Sequence, residues 1–316
     1  MKPAHWLCVF ASLVCFGPAA SAQVKITRET GKIAIVIDGK PFGDFYVSKD
    51  YAKPFVWPMR SASGVAITRG FPMEPAGSGS HDHPHQRGMF FAHEDVNKTD
   101  FWNNEFTYKT HNRGVIALDR IEETKGGKRS GVIHTTFNWR DPQGNTLVVE
   151  DRRMTFYADP SNRIVDVDIT LTAKTKVVFG DAKDGGFGIR LADKLTELRG
   201  TGKMVDADGA VGEKQIWGHR SNWVDYSGEL EGQKVGVAIF DHPSNPRHPN
   251  RWHARGYGLF AINPFGNHVF DKSAPVEPTP LDPGQSLHYR WRVVIHPGDT
   301  ASANIASLWD AYAKTK

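Results

Sequence analysis

The stretch Val165-Asp166-Val167-Asp168-Ile169-Thr170-Leu171-Thr172 alternates apolar and polar side chains at every position. A period of two is typical of a β-strand that has one face in a core and the other toward solvent. The same alternation recurs at residues 32–37, 133–140 and 289–295. Turn residues separate these stretches, as in Lys125-Gly126-Gly127-Lys128. The chain is therefore predicted to consist mainly of strands.

Only the C-terminus is predicted to be helical. Asp299 or Thr300 can cap this helix, and one of its faces carries Ile305, Leu308, Trp309 and Tyr312. Many strands and few helices favour antiparallel sheets packed face to face. No internal repeat or long linker divides the sequence. We expect an all-β fold, a large antiparallel β-sandwich with a short C-terminal helix, in which residues 23–316 form a single domain.

Residues 1–22 have the features of a cleaved secretory signal peptide. A positive start is followed by an apolar run over residues 6–16 and by the small residues Ala20-Ser21-Ala22. The apolar run is too short to span a bilayer comfortably. Both cysteines, Cys8 and Cys15, fall in this segment, so the mature chain is predicted to lack disulfides. We expect a periplasmic or secreted protein.

The charge of the chain bounds the class of its partners. Lys and Arg number 39 against 35 Asp and Glu, which gives a formal net charge of +4. This balance is mild and spread out, so a nucleic-acid partner has little support. No later segment is apolar for long enough to insert in a membrane. A small molecule or an oligosaccharide is the expected ligand.

The segment SHDHPHQRGMFFAHEDVNKTDFW, residues 80–102, concentrates histidines, acids and one arginine. An imidazole titrates near neutral pH, and a nearby carboxylate or guanidinium can tune it for proton transfer. We predict that His85 is an acid or base with Asp95 as its partner. Substrate-binding roles are predicted for Arg87, His93 and Asn97.

The same histidines allow an alternative interpretation as metal ligands. His81, His83 and His85 have a spacing of two, so in an extended segment all three would project from one face. Together with His93 they could hold a divalent transition metal for an oxygenase or lyase reaction. Arg87, however, would place a fixed cation beside that metal. We therefore favour a protein with no cofactor and keep the metal enzyme as an alternative.

A second polar cluster, FDHPSNPRHPNRWHARGYGLFAINPFG, covers residues 240–266. Three prolines make its first half a stiff loop, and long ordered loops are where functional groups concentrate. Amide, guanidinium and imidazole groups beside tryptophan are typical of a sugar-binding surface. We predict His242 as a second acid or base with Asp241 as its partner, meeting His85 in one cleft. Further substrate-binding residues are predicted to be Arg190, Asn245, Arg247, Trp252 and His253.

Seven motifs, spread over nearly all of the mature chain, carry a resemblance to a known family. They are His83-Pro84-His85-Gln86-Arg87-Gly88, Ala92-His93-Glu94-Asp95-Val96-Asn97, Asp100-Phe101-Trp102, Gly186-Phe187-Gly188-Ile189-Arg190, Asp241-His242-Pro243-Ser244-Asn245-Pro246-Arg247, Trp252-His253-Ala254-Arg255-Gly256-Tyr257-Gly258 and Asn263-Pro264-Phe265-Gly266. In these motifs the chain resembles a bacterial family of unknown function labelled "methane oxygenase PmoA-like". A membrane monooxygenase subunit needs several spanning helices, so the oxygenase label does not fit this sequence.

The resemblance implies a secreted β-sandwich similar to the galactose-mutarotase-like folds. Together with the polar clusters, it leads us to expect a carbohydrate-active protein. The expected chemistry is proton transfer at a sugar carbon or a glycosidic oxygen, as in epimerisation, elimination or hydrolysis. A non-catalytic carbohydrate-binding module is a further alternative.

Overall fold

The structure is a computed structural model that describes residues 23–77, 79–110 and 112–316. The expected signal peptide, residues 1–22, lies outside the described residues. Two α-helices are present in these ranges, α1 (Glu213–Ile216) and α2 (Ile305–Tyr312). The strands, in chain order, are β1 (Val24–Glu29), β2 (Lys32–Ile37), β3 (Lys40–Tyr46), β4 (Phe55–Trp57), β5 (Met89–His93), β6 (Val115–Lys125), β7 (Ser130–Arg140), β8 (Thr146–Tyr157), β9 (Arg163–Ala173), β10 (Val177–Phe179), β11 (Gly185–Arg190), β12 (Lys203–Asp206), β13 (Trp223–Leu230), β14 (Gln233–Asp241), β15 (Arg251–Ala254), β16 (Leu259–Asn263), β17 (Thr279–Leu281) and β18 (Ser286–Pro297).

Two antiparallel sheets of eight strands each make up the fold. The front sheet has the strand order β1-β2-β3-β4-β5-β11-β16-β15, and the back sheet has the order β12-β13-β14-β18-β9-β8-β7-β6. Strands β10 and β17 form a separate two-stranded ribbon. The predicted all-β antiparallel sandwich is confirmed.

The two sheets pack through the apolar side chains that the alternation predicted. In β9 the side chains of Val165, Val167, Ile169 and Leu171 are at most 2% exposed, whereas the residues between them reach the surface in part. The ring of Phe187 in the front sheet stacks on Trp291 of the back sheet with centroids 5.2 Å apart. Burial of such faces is the main favourable contribution to folding.

The central strands of the front sheet differ from β9 because they are buried on both sides. Every residue of β5, β11 and β16 is buried. On the outer side, loops cover these strands. Phe90 of β5, for example, contacts Trp102 from the loop that follows this strand. Loops on a rigid sheet commonly carry functional groups, so this outer side is where a site is expected.

The C-terminal helix α2 packs on the outer side of the back sheet. Ile305 and Tyr312 are buried in a cluster with Trp223 and Phe240, and Leu308 and Trp309 pack against that cluster. The predicted apolar face of the helix is therefore confirmed. None of the helices in the described ranges is long and apolar enough to cross a membrane.

The predicted cap of this helix is wrong. α2 begins only at Ile305, and the residue before it is Asn304 in a left-handed conformation. The Thr300 hydroxyl donates instead to the Asp225 carboxylate at 2.6 Å. Asp299 accepts the backbone N–H of Ser302 in the preceding turn. Local turn hydrogen bonds thus use the groups that were expected to start the helix.

We expect the Trp291→Ala variant to lose about 3–5 kcal/mol of unfolding free energy, because it removes the ring that both Phe187 and Phe91 contact. Urea denaturation followed by circular dichroism measures this loss. The matched control is Leu198→Ala, whose side chain belongs to a residue that is 70% exposed. A Trp291→Ala variant as stable as this control would show that the stack does not hold the sheets together.

Candidate functional site

Residues 81–88 form a loop that precedes β5, and not the extended segment that the spacing of two required. His83 has a φ of 43°, which interrupts the extended conformation, although the rings of His83 and His85 remain neighbours with centroids 5.7 Å apart. The ring of His81 stacks on Phe71 with centroids 4.6 Å apart. The ring of His83 stacks instead on Tyr257 at 5.2 Å.

His93 is a core residue and not a ligand-binding one. It lies opposite Gly185 on the face of β5 that Phe91 shares, which is the inner face. The side chain belongs to a residue that is 0% exposed, and its Nε2 lies 2.9 Å from the carbonyl oxygen of Gly180. The structure therefore does not bring together the alternative metal set of His81, His83, His85 and His93.

His242 and Asp241 lie at the end of β14, in the back sheet. His242 shares the outer face of that sheet with α2, and its Nε2 lies 3.1 Å from the carbonyl oxygen of Thr315. Asp241 is fully buried and accepts a hydrogen bond from the amide of Asn245 at 2.7 Å. His85 precedes a front-sheet strand. The predicted cleft shared by His85 and His242 is thus not formed, because His242 faces α2 on the outer side of the back sheet, whereas His85 lies in the loop before β5 on the outer side of the front sheet.

The remaining predicted residues outside the front-sheet centre hold the backbone of loops or fill the core. Their polar atoms form hydrogen bonds within the protein. Asp95 accepts a hydrogen bond from the backbone of Lys98, and Asn97 forms hydrogen bonds with the backbone of Lys176 and Val178. The side chains of Asn245, Arg247 and buried Trp252 donate to the backbone carbonyl groups of Arg290, Glu277 and Ser221, respectively.

A row of residues runs across the outer face of the front sheet. His253 of β15, Ala261 of β16 and Gly188 of β11 are direct cross-strand partners and therefore share a face. Phe187, the neighbour of Gly188, stacks on the back sheet, so this row points outward. Arg190 lies two residues beyond Gly188 and points to the same side. The strands thus place two of the predicted residues, His253 and Arg190, on the same outer face.

Trp217, His253 and Asp184 form a chain of hydrogen bonds. The indole Nε1 of Trp217 donates to Nδ1 of His253 at 2.9 Å. Because an indole nitrogen can only donate, Nδ1 must be the acceptor and the ring proton must lie on Nε2. That Nε2 lies 3.2 Å from Oδ1 of Asp184. Burial lowers the pKa of His253, so this neutral tautomer persists at neutral pH.

Glu94 and Asp184 form a pair of carboxyl groups at one end of this chain. They adjoin the cross-strand partners His93 and Gly185. The backbone N–H of Asp184 donates to Oε1 of Glu94 at 2.8 Å, and the backbone N–H of Glu94 donates to the carbonyl oxygen of Asp184 at 2.8 Å. Both residues remain partly exposed, so a ligand can reach them.

The environment shifts the pKa values of these two carboxyl groups in opposite directions. Burial, together with the nearby charges of Asp184 and Asp100, raises the pKa of Glu94 to about 7. Burial also opposes ionisation of Asp184, but the hydrogen bond from His253 and the charge of Lys183 lower its pKa below the usual value. A pair with pKa values pushed apart is the arrangement that supplies a proton donor beside a permanent anion.

Half-buried aromatic and cationic side chains connect this pair to the other end of β11. Arg255 lies over the ring of Trp217 at 6.0 Å and over that of Tyr257 at 5.6 Å. The guanidinium of Arg190 lies 4.6 Å from the centroid of the same Tyr257 ring. We call this continuous group the outer-face site; it consists of Glu94, Asp184, Trp217, His253, Arg255, Tyr257 and Arg190.

His85 lies near the Arg190 end of the outer-face site. Its Nδ1 lies 2.8 Å from the hydroxyl of Tyr108. Burial, with the surrounding charges of Lys53, His83, Arg190 and Arg69, lowers the pKa of His85 to about 2. The imidazole therefore stays neutral at neutral pH, which contradicts the predicted role as an acid, while the role as a base stays a prediction.

Arg87 is committed to a neighbouring acid. Its guanidinium makes an ion pair with Glu105, including Nη2 to Oε2 at 2.8 Å, and lies over the ring of Tyr51 at 5.3 Å. The loop that carries Glu105 also supplies Tyr108, the partner of His85. Arg87 thus holds in place the loop that contacts His85. This is a positioning role, which differs from the predicted contact with substrate.

A cavity of about 530 Å³ lies behind the same loop. Phe106, which is 55% exposed, borders it together with Arg113 and Arg140. The one acid in its lining, Asp141, uses its carboxylate to accept backbone N–H groups of the turn that follows. This cavity therefore offers apolar and cationic surface but no carboxyl group available for proton transfer.

Sequence reasoning assigned no role to Glu94, Asp184, Arg255 and Tyr257, and it considered Trp217 only as one of several tryptophans that could face a sugar. Residues that are an even number apart along a strand project from the same face, and this rule could have identified Glu94 and Asp184. Asp184, like Gly188, is an even number of residues from Arg190. Glu94 is likewise an even number of residues from Phe90, whose ring lies on the outer face against Trp102. The two aromatic residues reach the site through loop geometry, which no local pattern encodes.

The profile of a family of unknown function (DUF6807) matches residues 32–310. A comparison with curated protein sequences finds no significant match. Solved structures of similar fold include a galactose mutarotase-like protein from Clostridium acetobutylicum, with a TM-score of 0.42 and 10% identity over 87% of this chain and 98% of that chain.

Two further structures are a putative aldose 1-epimerase from Escherichia coli K12 and the alpha-galactosidase from Lactobacillus brevis. The first has a TM-score of 0.33 and 12% identity over 87% of this chain and 99% of that chain. The second has a TM-score of 0.45 and 9% identity over 90% of this chain, but this chain spans only 41% of the galactosidase. Similarities this distant do not carry an activity to this chain.

We expect the Glu94→Gln variant to gain stability relative to the wild type as pH rises from 5 to 8. A carboxyl group whose pKa is higher in the folded protein binds an extra proton there, so its contribution to stability falls as pH rises from about 4.5 to about 7. Glutamine does not titrate. Urea midpoints measured across this range test the shift, and two curves that stay parallel would contradict it.

Proposed function

Since this chain belongs to the DUF6807 family, whose function is unknown, its activity has to be inferred from its own residues, and we propose that it is a carbohydrate-active enzyme. Glu94 transfers a proton to or from a sugar bound at the outer-face site. The reaction is of the epimerase, lyase or hydrolase type. The observation that carries this proposal is the Glu94–Asp184 pair with oppositely shifted pKa values beside half-buried aromatic rings.

Binding of a sugar is supported by the kinds of side chain that border the site. The rings of Trp217 and Phe270 meet at 5.2 Å and both remain half-buried, so part of this aromatic surface faces outward. The apolar face of a pyranose rests on such rings, while its hydroxyl groups bond to carboxylate and amide groups. Asn103 and Asp184 supply these polar groups at the same place.

Proton transfer is supported by the state of each carboxyl group. A group with a pKa near 7 is matched to proton exchange at neutral pH, because both of its forms are populated. Glu94 can therefore protonate a glycosidic oxygen or remove a proton from a sugar carbon. Asp184 stays ionised and stabilises positive charge that develops on the sugar.

The hydrogen-bond chain of Trp217, His253 and Asp184 keeps Asp184 ionised while Glu94 exchanges a proton. The proton on His253 Nε2 favours the ionised form of Asp184, and the indole N–H fixes which imidazole nitrogen carries that proton. Neither His253 nor Trp217 needs to change its protonation state during the reaction. His253 is thus a positioning residue, since it acts through Asp184.

We expect the Glu94→Gln variant to lose turnover by about 10²–10⁴-fold while keeping its affinity for the sugar, because only the proton transfer is removed. Candidate hexoses, hexosides and hexuronides are incubated with the protein in D₂O. Proton NMR then reports anomer exchange, bond cleavage and deuterium uptake at carbon in one experiment.

The matched control is Glu229→Gln, at an exposed position of β13, which should leave turnover unchanged. Full activity in Glu94→Gln would remove Glu94 from the mechanism. Binding of a sugar by the wild-type protein without any change in that sugar would make the protein a carbohydrate-binding module.

A further inference from the structure

Three guanidinium groups converge on a single carboxylate beside the outer-face site. Arg69 and Arg190 each place one Nη atom 2.6 Å from the same oxygen, Oδ1 of Asp82. Arg199 lies 3.8 Å from the other oxygen of this carboxylate. Because Asp82 carries one negative charge, it cannot neutralise three cations.

One more acid lies close to these arginines in the described part of the chain. Asp193 is 4.0 Å from Arg199, but it also accepts hydrogen bonds from the backbone and the hydroxyl of Ser80. Three cations thus face two carboxylates. The two buried arginines, Arg69 and Arg190, are 3% and 0% exposed and have these two carboxylates as counter-charges. Their guanidinium groups also donate to the protein, Arg69 to the carbonyl of His83 and Arg190 to the side chain of Gln86. The excess positive charge therefore lies at the exposed Arg199, where a bound anion can compensate it.

The opening of this cluster faces solvent through Arg199, whose side chain is 42% exposed, and Asp82, whose side chain is 33% exposed. Neutral hydrogen-bonding groups line the same place. His85 remains uncharged there, and His83 adopts a left-handed backbone conformation that lays its ring on Tyr257. Residues held in uncommon backbone conformations are frequent at ligand sites.

We propose that Arg199, with the buried guanidinium groups of Arg69 and Arg190 behind it, binds the anionic group of an acidic saccharide. The inference rests on the proposed function and names its substrate class. The anionic group is a carboxylate, as in a uronic acid, or a sulfate ester, since both offer oxygens to a guanidinium fork. Asp184 and Arg190 are six residues apart, about 20 Å along an extended strand, so the anionic unit at Arg199 and the unit whose bond reacts at Glu94 and Asp184 are different units of one oligosaccharide.

The test uses Arg199→Gln, because this exposed side chain can change without opening the core. Isothermal titration calorimetry measures the Kd of methyl glucosides, galactosides and mannosides, of the matching methyl uronides, and of the matching 6-sulfates. We expect the wild-type protein to bind one of the anionic series at least about tenfold more tightly than its neutral partner. Arg199→Gln should reduce that preference to within about threefold.

The control is Arg120→Gln, at a position whose side chain is 64% exposed on β6, which should leave the preference unchanged. The comparison of uronides with sulfates identifies the anion. Neutral glycosides that bind as tightly as both anionic series would overturn the inference and leave the proposed function standing. An undiminished preference in Arg199→Gln would also overturn it. If the protein binds none of the compounds, the inference and the proposed function fall together.

Discussion

Along β5, β11, β15 and β16, each side chain points either into the core or toward the loops outside the front sheet, and this alternation places the strand residues of the outer-face site. Phe187 and Trp252 are on the inner side and fill the space between the sheets. Gly188, Arg190 and His253 are on the outer side. A shift of register by one residue would exchange these sets, so the core and the outer-face site are specified together.

The outer side of the front sheet combines two electrostatic regions. Glu94 and Asp184 lie at the start of β11, and the arginines around Asp82 lie at its end. The neutral rings of Trp217 and Tyr257 border the space between them. An oligosaccharide with a polar edge, an apolar face and a negative group can satisfy all three regions at once. Carbohydrates that carry an acidic group have this combination of features.

The sequence determined the fold class well and the site only in part. Periodicity depends on neighbours along the chain: the alternation of residues 165–172 correctly predicted strands and a sandwich, and the helical spacing near the C-terminus correctly predicted the buried face of α2. Membership of a site depends on residues far apart in sequence. His242 was expected near His85 because the two segments have similar composition, but α2 covers its face of the back sheet. Composition does not report which sheet a strand joins.

His93 and His253 illustrate the same limit. Both are histidines in short apolar strands, and the sequence gives no preference between them. The pairing of their strands determines which face each histidine occupies. His93 shares a face with Phe91 and is buried in the core, whereas His253 shares a face with Gly188 and contacts Asp184. Their roles follow from strand register, which becomes known only when the partner strands are known.

A crystal structure of the protein with a bound saccharide tests the central claim most directly. The account predicts that the sugar ring lies outside the front sheet, against Trp217 or Tyr257, with a hydroxyl or glycosidic oxygen within hydrogen-bonding distance of Glu94. A saccharide found in the cavity beside Phe106, or on the back sheet near His242, with the outer-face site unoccupied, would contradict it.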